Sequence, residues 1–247
     1  MTSRQFFAAR IDADARNARL EGDEHHHLSR VARVRAGDEV WLMDGRGRRF
    51  LSRVERVGKD VTELVILRQA EDRGRRTSII LGQALLNAKK MEFVIQKGAE
   101  LGAAAVIPVV TDRSWRENKE KVVRREERWS RIAREAAKQS GRGDVPEVAG
   151  GARRLADFVR ERGAERRLFL SEHGGRLLRE VLTESAGRSG PPASVVVVVG
   201  PEGGWTAAEE EMLRGAGFEA VSLGGAVVRA ETAALAATAL VAHFWNT

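Results

Sequence analysis

An unbroken run of five valines, residues 195–199, constrains the fold of this chain more than any other feature. Each β-branched side chain favours an extended backbone. A run without polar alternation is typical of a strand that is buried on both faces of a parallel sheet. From residue 77 onward, further short apolar runs alternate with segments of helical spacing. The pattern therefore predicts an α/β domain built on an open parallel sheet.

The segment directly after the valine run is rich in glycine. It consists of Gly200, Pro201, Glu202, Gly203 and Gly204. Thr206 and Glu209 follow with the spacing of a capping box, which predicts that a helix begins there. Open parallel sheets bind ligands at the carboxyl ends of their strands, and glycine lets the backbone approach a ligand closely. The glycines alone favour a tight strand-to-helix turn over a ligand loop.

A second glycine cluster follows another predicted strand, residues 220–223. Gly224 and Gly225 open this loop, Arg229 closes it, and an alanine-rich helix then extends to about residue 244. Two strand ends that each open into a glycine loop predict two walls of one site. Glu231 lies in the first turn of the helix, where the helix dipole by itself explains a carboxylate.

The first seventy residues have a different texture of short strands and turns. Residues 39–43, 50–54 and 61–67 are predicted strands, a turn signal separates the first two, and residues 25–34 favour a short helix. This density predicts a small β-barrel. A charged stretch without apolar periodicity, residues 70–76, marks the boundary between a domain at 1–72 and one at 76–247.

The formal net charge of +7 indicates a surface that attracts polyanions. Residues 113–142 contain eleven lysines and arginines against five acidic residues. Trp115 and Trp129 are interleaved and are candidates for stacking on bases, although a tryptophan in a helix also packs into a core. The segment is interpreted as an RNA-binding helix, with a solvated face of ion pairs as the alternative.

Several classes of site and location are disfavoured. The chain has no cysteine, so disulfides and thiolate metal sites are excluded. The adjacent residues His25, His26 and His27 point in different directions on regular backbone, and no metal is expected. No apolar run approaches the ~20 residues that cross a bilayer, and no secretory leader is recognisable. A cytoplasmic protein without a membrane partner is expected.

These motifs together resemble the ribosomal RNA small subunit methyltransferase E family, within the SPOUT superfamily of knotted methyltransferases. The match runs in order along nearly the whole chain. Its motifs lie at residues 27–38, 83–102, 134–142, 200–204 and 223–233. The resemblance implies an N-terminal β-barrel of the PUA type that binds RNA, and a C-terminal α/β domain with a trefoil knot.

The resemblance also implies the cofactor, the product and the assembly. S-adenosylmethionine is expected to be held mainly by backbone groups of three loops. On this chain those loops comprise Leu170, Ser171, Glu172, Gly200, Pro201, Glu202, Gly203, Gly204, Leu223, Gly224, Val228 and Arg229. The implied product is N3-methyluridine in 16S ribosomal RNA, with the small ribosomal subunit as the implied substrate. The family acts as a homodimer.

Methyl transfer to a uridine ring nitrogen requires that the N3 proton leaves and that the resulting anion is stabilised. Arg229 is the candidate for electrostatic stabilisation, and Glu231 or Glu202 is the candidate proton acceptor. The candidate RNA-binding residues are Arg30, Arg33, Arg35, Arg113, Lys138 and Arg142. This chain has Ala226 and Val228 where relatives commonly carry an arginine and a leucine, which puts any role of that arginine in doubt.

Three other functions compete with this interpretation. A related knotted enzyme methylates a ribose 2′-hydroxyl or acts on transfer RNA. A non-catalytic ribosome-assembly factor would retain the fold without binding the cofactor. A nicotinamide oxidoreductase is disfavoured, because the chain lacks the Gly-x-Gly-x-x-Gly fingerprint of dinucleotide-binding folds.

Overall fold

The computed structural model describes residues 4–71, 77–115, 119–148, 151–188 and 190–246, without the side chains of 119–124 and 185–188. Two compact units divide the chain. The first contains Met1–Gly74 together with Ala137–Val145, and the second contains Arg75–Ala136 and Pro146–Thr247. The boundary predicted at residues 70–76 falls mostly outside the described residues.

The first unit is built mainly of short strands. Its elements are β1 (Gln5–Phe7), β2 (Arg10–Asp12), β3 (Asn17–Glu21), α1 (Gly22–His26), a π-helical turn (His27–Val31), β4 (Glu39–Met43), β5 (Arg49–Val57) and β6 (Val61–Gln69). The three strands and the short helix predicted for this region are therefore present.

One sheet joins the six strands in the order β1-β4-β5-β6-β3-β2. The β1–β4 pair is parallel and the other pairs are antiparallel. Buried and exposed residues alternate along β3, so one face of the sheet is apolar and the other meets solvent. The apolar face packs around one core that contains Phe6, Leu42 and Phe50.

The segment Ala137–Val145 belongs to this unit although it lies far along the chain. Ala137 and Val145 pack with Phe7 and Met43 in a small second core. The Gly47 amide donates a hydrogen bond of 3.1 Å to the carbonyl of Gly143. A Cβ atom on Gly143 would lie 2.5 Å from the Gly47 carbonyl oxygen, so this close approach of two backbones requires glycine.

The second unit alternates strands and helices. Its elements are β7 (Ser78–Ala84), α2 (Ala88–Glu100), β8 (Ala105–Val110), α3 (Lys119–Ser140, whose last turn belongs to the first unit), β9 (Glu147–Val148), β10 (Arg153–Arg154), α4 (Leu155–Glu161), β11 (Arg166–Leu170), β12 (Arg176–Leu177), α5 (Leu178–Arg188), β13 (Ser194–Val199), α6 (Ala207–Gly215), β14 (Glu219–Ser222) and α7 (Ala230–Trp245). The three shortest strands, α4 and α5 were not predicted.

The strands of the second unit form a parallel sheet with the order β10-β8-β7-β13-β11-β14-β12, and β9 pairs with β8. The valine strand β13 lies between β7 and β11. Its odd-numbered valines face the core that α2, α5 and α7 cover, and Val196 and Val198 face the core that includes Phe158 and Phe218. The predicted α/β domain with a strand buried on both faces is confirmed. The trefoil knot itself stays a prediction.

The helices of the second unit lie against the sheet through apolar faces. None of the helices in the part of the chain that the structure describes combines the length and apolarity that crossing a bilayer requires. The alanine-rich helix α7 packs its small side chains closely against α2 and α5.

Candidate active site

A cavity opens at one edge of the parallel sheet, where three neighbouring strands end. The strands are β13, β11 and β14. They lie side by side in the sheet in that order, which differs from their order in the chain. The loops after them, residues 171–175, 200–206 and 223–229, form the walls. The cavity encloses about 790 Å³, including the space at its mouth.

The residues that line the cavity come from these loops, the strand ends before them, the first turns of helices α6 and α7 and the turn after β8. They are Arg113, Leu170, Ser171, Glu172, His173, Val199, Gly200, Pro201, Gly203, Gly204, Trp205, Glu210, Val221, Ser222, Leu223, Gly224, Ala226, Val227, Val228, Ala230 and Ala233. Ten of the twelve predicted cofactor-binding residues are among them, and the two others are Glu202 and Arg229.

Trp205 holds the glycine loop 200–204 against the neighbouring strand. Its indole Nε1 donates a hydrogen bond of 2.7 Å to the carbonyl oxygen of Leu170, the last residue of β11. A Cβ atom on Gly200 would lie 3.0 Å from the indole ring, closer than such contacts normally come. Gly204 has a φ of +68°, a conformation that favours glycine. The first and last glycines of this loop are therefore required by its packing and its backbone.

Arg113, in the turn after β8, fixes the same loop from the other side. Its Nη1 donates hydrogen bonds to the carbonyl oxygens of Gly203 at 3.0 Å and of Trp205 at 3.3 Å. Its Cβ would lie 3.2 Å from a Cβ atom on Gly203. Arg113 was predicted to bind RNA; it lies before α3 and lines the cavity, and its binding to RNA stays a prediction.

The predicted capping box is present at the start of α6. The Glu209 amide donates to Thr206 Oγ1 at 3.3 Å, and the Thr206 amide donates to Glu209 Oε2 at 2.9 Å. The second carboxylate oxygen of Glu209 accepts from the Asp112 amide at 2.8 Å. The buried Glu209 side chain thus joins the glycine loop, α6 and the turn that carries Arg113.

The loop after β11 contributes polar groups to the cavity. Ser171 Oγ donates a hydrogen bond of 3.0 Å to Glu210 Oε1 and accepts one of 3.3 Å from the His173 amide. The Ser171 amide donates to the Val221 carbonyl at 3.0 Å, which continues the pairing of β11 with β14. The buried Ser171 therefore ties two of the three walls together.

The second glycine loop is more open. Gly224, at a φ of +122°, donates its amide to Ser222 Oγ at 3.1 Å. Beyond it, Val227 is 76% exposed, and Val228 and Arg229 are exposed as well. Ala226, where relatives commonly carry an arginine, lines the cavity without a side chain that reaches further. Apolar side chains exposed at the mouth of a cavity are typical of a surface that contacts a partner molecule.

S-adenosylmethionine, the cofactor that the resemblance implies, suits this cavity by the chemistry of its lining. Gly200, Gly203, Gly204 and Gly224 leave the backbone uncovered by side chains, which suits a ligand held by backbone groups. The carboxylates of Glu172 and Glu210 also line the cavity. Negative groups suit a ligand that carries a sulfonium and an ammonium charge.

The three predicted catalytic residues lie next to this cavity. Arg229 is the exposed N-cap residue of α7, and its guanidinium has no hydrogen-bond partner in the described part of the chain. Glu202 and Glu231 converge on Lys90, near the start of α2: the Lys90 Nζ binds Glu202, and its distance to Glu231 Oε1 is 3.1 Å. Lys90 was not predicted as a site residue.

The charges of this cluster shift one another's pKa values. The hydrogen bond to Glu202, and then that to Glu231, raises the pKa of Lys90 above its usual value. Burial raises the pKa of Glu231, but its own backbone amide, the Lys90 ammonium and Arg229 outweigh that, and the net shift is downward. Both partners therefore stay charged at neutral pH.

Two predicted RNA-binding residues are engaged inside the first unit, which corrects their assignment. The Lys138 side chain is 5% exposed, and its Nζ lies 2.8 Å from Glu24 Oε2 and 2.9 Å from His27 Nδ1. The Arg142 guanidinium is largely buried against Asp144. A polar head that is buried and already bonded is not available to a phosphate.

Of the two interpretations of Trp129, the structure selects packing in the core over stacking on a base. Its side chain, on α3, is 1% exposed and packs in the core of the second unit. Trp115, by contrast, is half-exposed on the turn after β8. The charge pattern places both tryptophans in a basic segment. The sequence does not show which residues of α3 face the sheet.

The remaining RNA-binding candidates are exposed. Arg30 ends the π-helical turn, and Arg33 and Arg35 follow it, with exposed Val31 between them. Arg33 has a φ of +50°, which is uncommon for a residue with a side chain. These three arginines form a basic edge on the first unit.

The histidine cluster has protein partners at two positions. His25 is buried, and its ring nitrogens lie 2.8 Å from Thr62 Oγ1 and 3.0 Å from the Lys59 carbonyl. His27 contacts Lys138 through Nδ1. Among the described residues, no group of three or more histidines, aspartates or glutamates is arranged to hold a metal ion.

The residues of the site that sequence reasoning missed include Lys90, Glu210, Trp205, His173 and the cavity position of Arg113. Trp205 and His173 each follow directly on predicted loop residues, so extending those loops by one or two positions would have included them. Lys90 and Arg113 reach the site from other elements, and the sequence carries no signal for that approach.

Comparisons with known proteins give this geometry a family. Residues 73–242 match the model of an RNA methyltransferase domain, and residues 20–67 match that of an RNA methyltransferase PUA domain. The ribosomal RNA small subunit methyltransferase E of Bacillus subtilis is 33% identical over 228 residues, which are 91% of this chain and 89% of the relative.

Two solved structures are similar over the whole chain. The ribosomal RNA small subunit methyltransferase E of Neisseria gonorrhoeae, bound to S-adenosyl methionine, has a TM-score of 0.85 and 31% identity, covering 98% of each chain. A Legionella pneumophila structure in complex with the bound cofactor SAM has a TM-score of 0.83 and 29% identity, again covering 98% of each.

Proposed function

Since this chain belongs to the ribosomal RNA small subunit methyltransferase E family and depends on S-adenosylmethionine, we propose that it methylates N3 of a uridine in 16S ribosomal RNA. The observation that carries the proposal is the cavity at the ends of β13, β11 and β14, with Arg229 at its rim. It joins a site suited to the cofactor with a cation available to a substrate.

We propose the cofactor-binding set predicted from the sequence as the binding site. Leu170, Gly200, Gly203 and Leu223 line the cavity, and in this proposal backbone groups of these loops bind the cofactor where the glycines keep the approach free of side chains. When bound, S-adenosylmethionine supplies an electrophilic methyl group. The task of the protein is then to hold the uridine N3 in line and to manage its proton and charge.

Arg229 stabilises the uridine anion in this proposal. Neutral uridine carries a proton on N3, so the nucleophile develops negative charge as that proton leaves. An exposed guanidinium at the N-terminal end of α7 supplies a full positive charge together with the helix dipole. Glu202 and Glu231 are the candidate acceptors of the proton, and Glu202 is the more exposed of the two.

RNA binding is proposed for the exposed arginines of the first unit. Arg30, Arg33 and Arg35 are exposed and close to exposed Val31 in the chain, which suits phosphate contacts beside a base or sugar. Phosphate contacts release counterions, so RNA affinity will fall steeply as salt is added. The assembled small ribosomal subunit is the proposed substrate, since the relatives are named for that subunit.

We also propose that the protein acts as a homodimer whose interface includes the second glycine loop. Val227 and Val228 expose apolar surface at the cavity mouth, and a second copy would remove it from water. A partner at this position would complete the wall that the chain itself leaves open.

The decisive experiment maps labelled methyl groups on small ribosomal subunits that lack this modification. Incubation with the protein and labelled S-adenosylmethionine, followed by mass spectrometry of 16S RNA digests, is expected to give one N3-methyluridine. A ribose 2′-O-methyl product would support the related knotted enzymes instead. Cofactor binding in calorimetry without any methyl transfer to RNA would support a ribosome-assembly factor.

A further inference from the structure

Lys90 joins three separate segments of the second unit next to the cavity. It is the third residue of α2, and its amide donates a hydrogen bond of 3.2 Å to the side chain of Asn87, which caps that helix. Its ammonium group contacts Glu202 of the glycine loop and Glu231 of the first turn of α7. The loop and the helix that carry the site are thus linked through a third, capped helix.

We propose that Lys90 is a positioning residue for methyl transfer: by binding Glu202 and Glu231 it keeps both carboxylates from Arg229, whose guanidinium then stays available for the substrate. The inference rests on the proposed role of Arg229. It assigns Glu231 to positioning, so that Glu231 takes no proton from the uridine.

Glu231 and Arg229 carry opposite charges, so Glu231 needs another cation if Arg229 is to stay available for the substrate. Glu231 is only two residues from Arg229, and its side chain is 12% exposed, so its charge is poorly screened by water. One of its oxygens contacts Lys90, and the other is buried and has no hydrogen-bond partner among the described residues. A buried carboxylate with a vacant oxygen attracts the nearest free cation, and without Lys90 that cation is Arg229.

The pKa values agree with this arrangement. Two cations act on Glu231, Lys90 from α2 and Arg229 from the start of its own helix, and Glu202 of the glycine loop shares Lys90 with it. Lys90 contributes more than Arg229 to lowering the pKa of Glu231. The cation that neutralises Glu231 is therefore the lysine, and Arg229 contributes least of the groups that act on it.

The test compares Lys90→Met with Lys90→Arg and with the control Lys89→Met. Lys89 is the exposed neighbour on α2, so its replacement removes the same charge from the same helix. We expect Lys90→Met to lower kcat about tenfold or more, the scale of one lost ion pair that is partly buried. Lys90→Arg should restore most of the rate, and Lys89→Met should leave it unchanged.

The double variant Lys90→Met with Glu231→Gln separates positioning from general base chemistry. This removes the carboxylate two residues from Arg229 and leaves the more exposed Glu202, so the double variant should regain at least half of the lost rate on a logarithmic scale. If the double variant stays as slow as Lys90→Met while the wild type still forms N3-methyluridine, the inference fails and the proposed function stands. If the wild type forms no N3-methyluridine, the proposed function itself fails.

Acid unfolding gives a readout without substrate or cofactor. Because the folded-state pKa of Glu231 is lowered, its contribution to stability is present above the unfolded pKa and is lost as pH falls through the folded one. In Lys90→Met, Arg229 becomes the cation beside Glu231 and keeps its folded pKa low, so adding Arg229→Ala should raise the pH of the acid-unfolding midpoint more in Lys90→Met than in the wild type. Equal shifts in the two backgrounds would overturn the proposal. If Lys90→Met does not fold, Lys90→Gln serves in its place.

Discussion

The two glycine loops of the cavity follow β13 and β14 of the same sheet, but the side-chain contacts that hold them in place differ. Loop 200–206 is fixed by the indole of Trp205 on Leu170, by Arg113 on two of its carbonyls and by Lys90 on Glu202. For loop 223–228, the side-chain hydrogen bonds among the described residues come from Ser222 alone. Side chains of the chain itself hold the first loop in place, whereas the second loop is exposed at the cavity mouth.

The difference teaches which part of the site is complete in a single chain. A wall that is preorganised binds its ligand without a further ordering cost, which suits the cofactor. The other wall exposes Val227, Val228 and Arg229, and we propose that the RNA and a second subunit contact these residues. Substitutions in the two loops should therefore affect different measurements.

The largest effect is expected for Arg229→Ala in the open loop. Loss of one electrostatic stabiliser should slow methyl transfer by about 10²–10³-fold. Single-turnover rates measure this, and circular dichroism will show an intact fold because the residue is exposed. Arg179→Ala, an exposed arginine on α5, serves as the control and should retain the full rate. Near-normal turnover of Arg229→Ala would remove it from the mechanism.

A matched pair of glycine substitutions tests the contrast between the loops directly. A Cβ on Gly200 meets the Trp205 ring at 3.0 Å, whereas a Cβ on Gly225 meets nothing within 4 Å. Overpacking of about 1–3 kcal/mol should weaken cofactor binding by Gly200→Ala roughly tenfold to a hundredfold. Gly225→Ala should bind as the wild type does in calorimetry. Equal affinities would show that the first loop is not tightly packed.

Val227→Asp examines what covers the open loop. At 76% exposure the change should leave the melting temperature of the single chain nearly unaltered. A charge placed in an apolar interface should weaken the proposed homodimer by about tenfold or more. Sedimentation velocity over a range of concentrations measures the shift, with Val31→Asp on the first unit as the control. An unchanged dimer places the interface elsewhere.

The smallest effect is expected for Trp205→Phe in the closed loop. The phenyl ring keeps the edge contact with Phe169 but loses the hydrogen bond to the Leu170 carbonyl. One lost bond costs about 1 kcal/mol, or roughly 2–4 °C in a chain of this size. Scanning calorimetry measures the shift. Trp115→Phe, at a half-exposed tryptophan, should melt with the wild type, and equal melting of both would dismiss the bond.

Much of this architecture was accessible from local patterns. Val195–Val199 carry the signature of a central strand, and Thr206 with Glu209 carry that of a helix start, because each depends on a few consecutive residues. The two glycine loops were placed at strand ends for the same reason. Charge density was a weaker guide: it marked Lys138 as an RNA-binding residue, and packing buries its side chain.

The sequence by itself determined where the strands end, where the loops begin and which family the chain resembles. Tertiary structure alone decided that Lys90 joins Glu202 to Glu231, that Arg113 supports Gly203 and that Lys138 pairs with Glu24. The physical reason is range. Propensity and capping act over a few residues, whereas these contacts join side chains about ninety or more positions apart, and only the folded sheet brings them together.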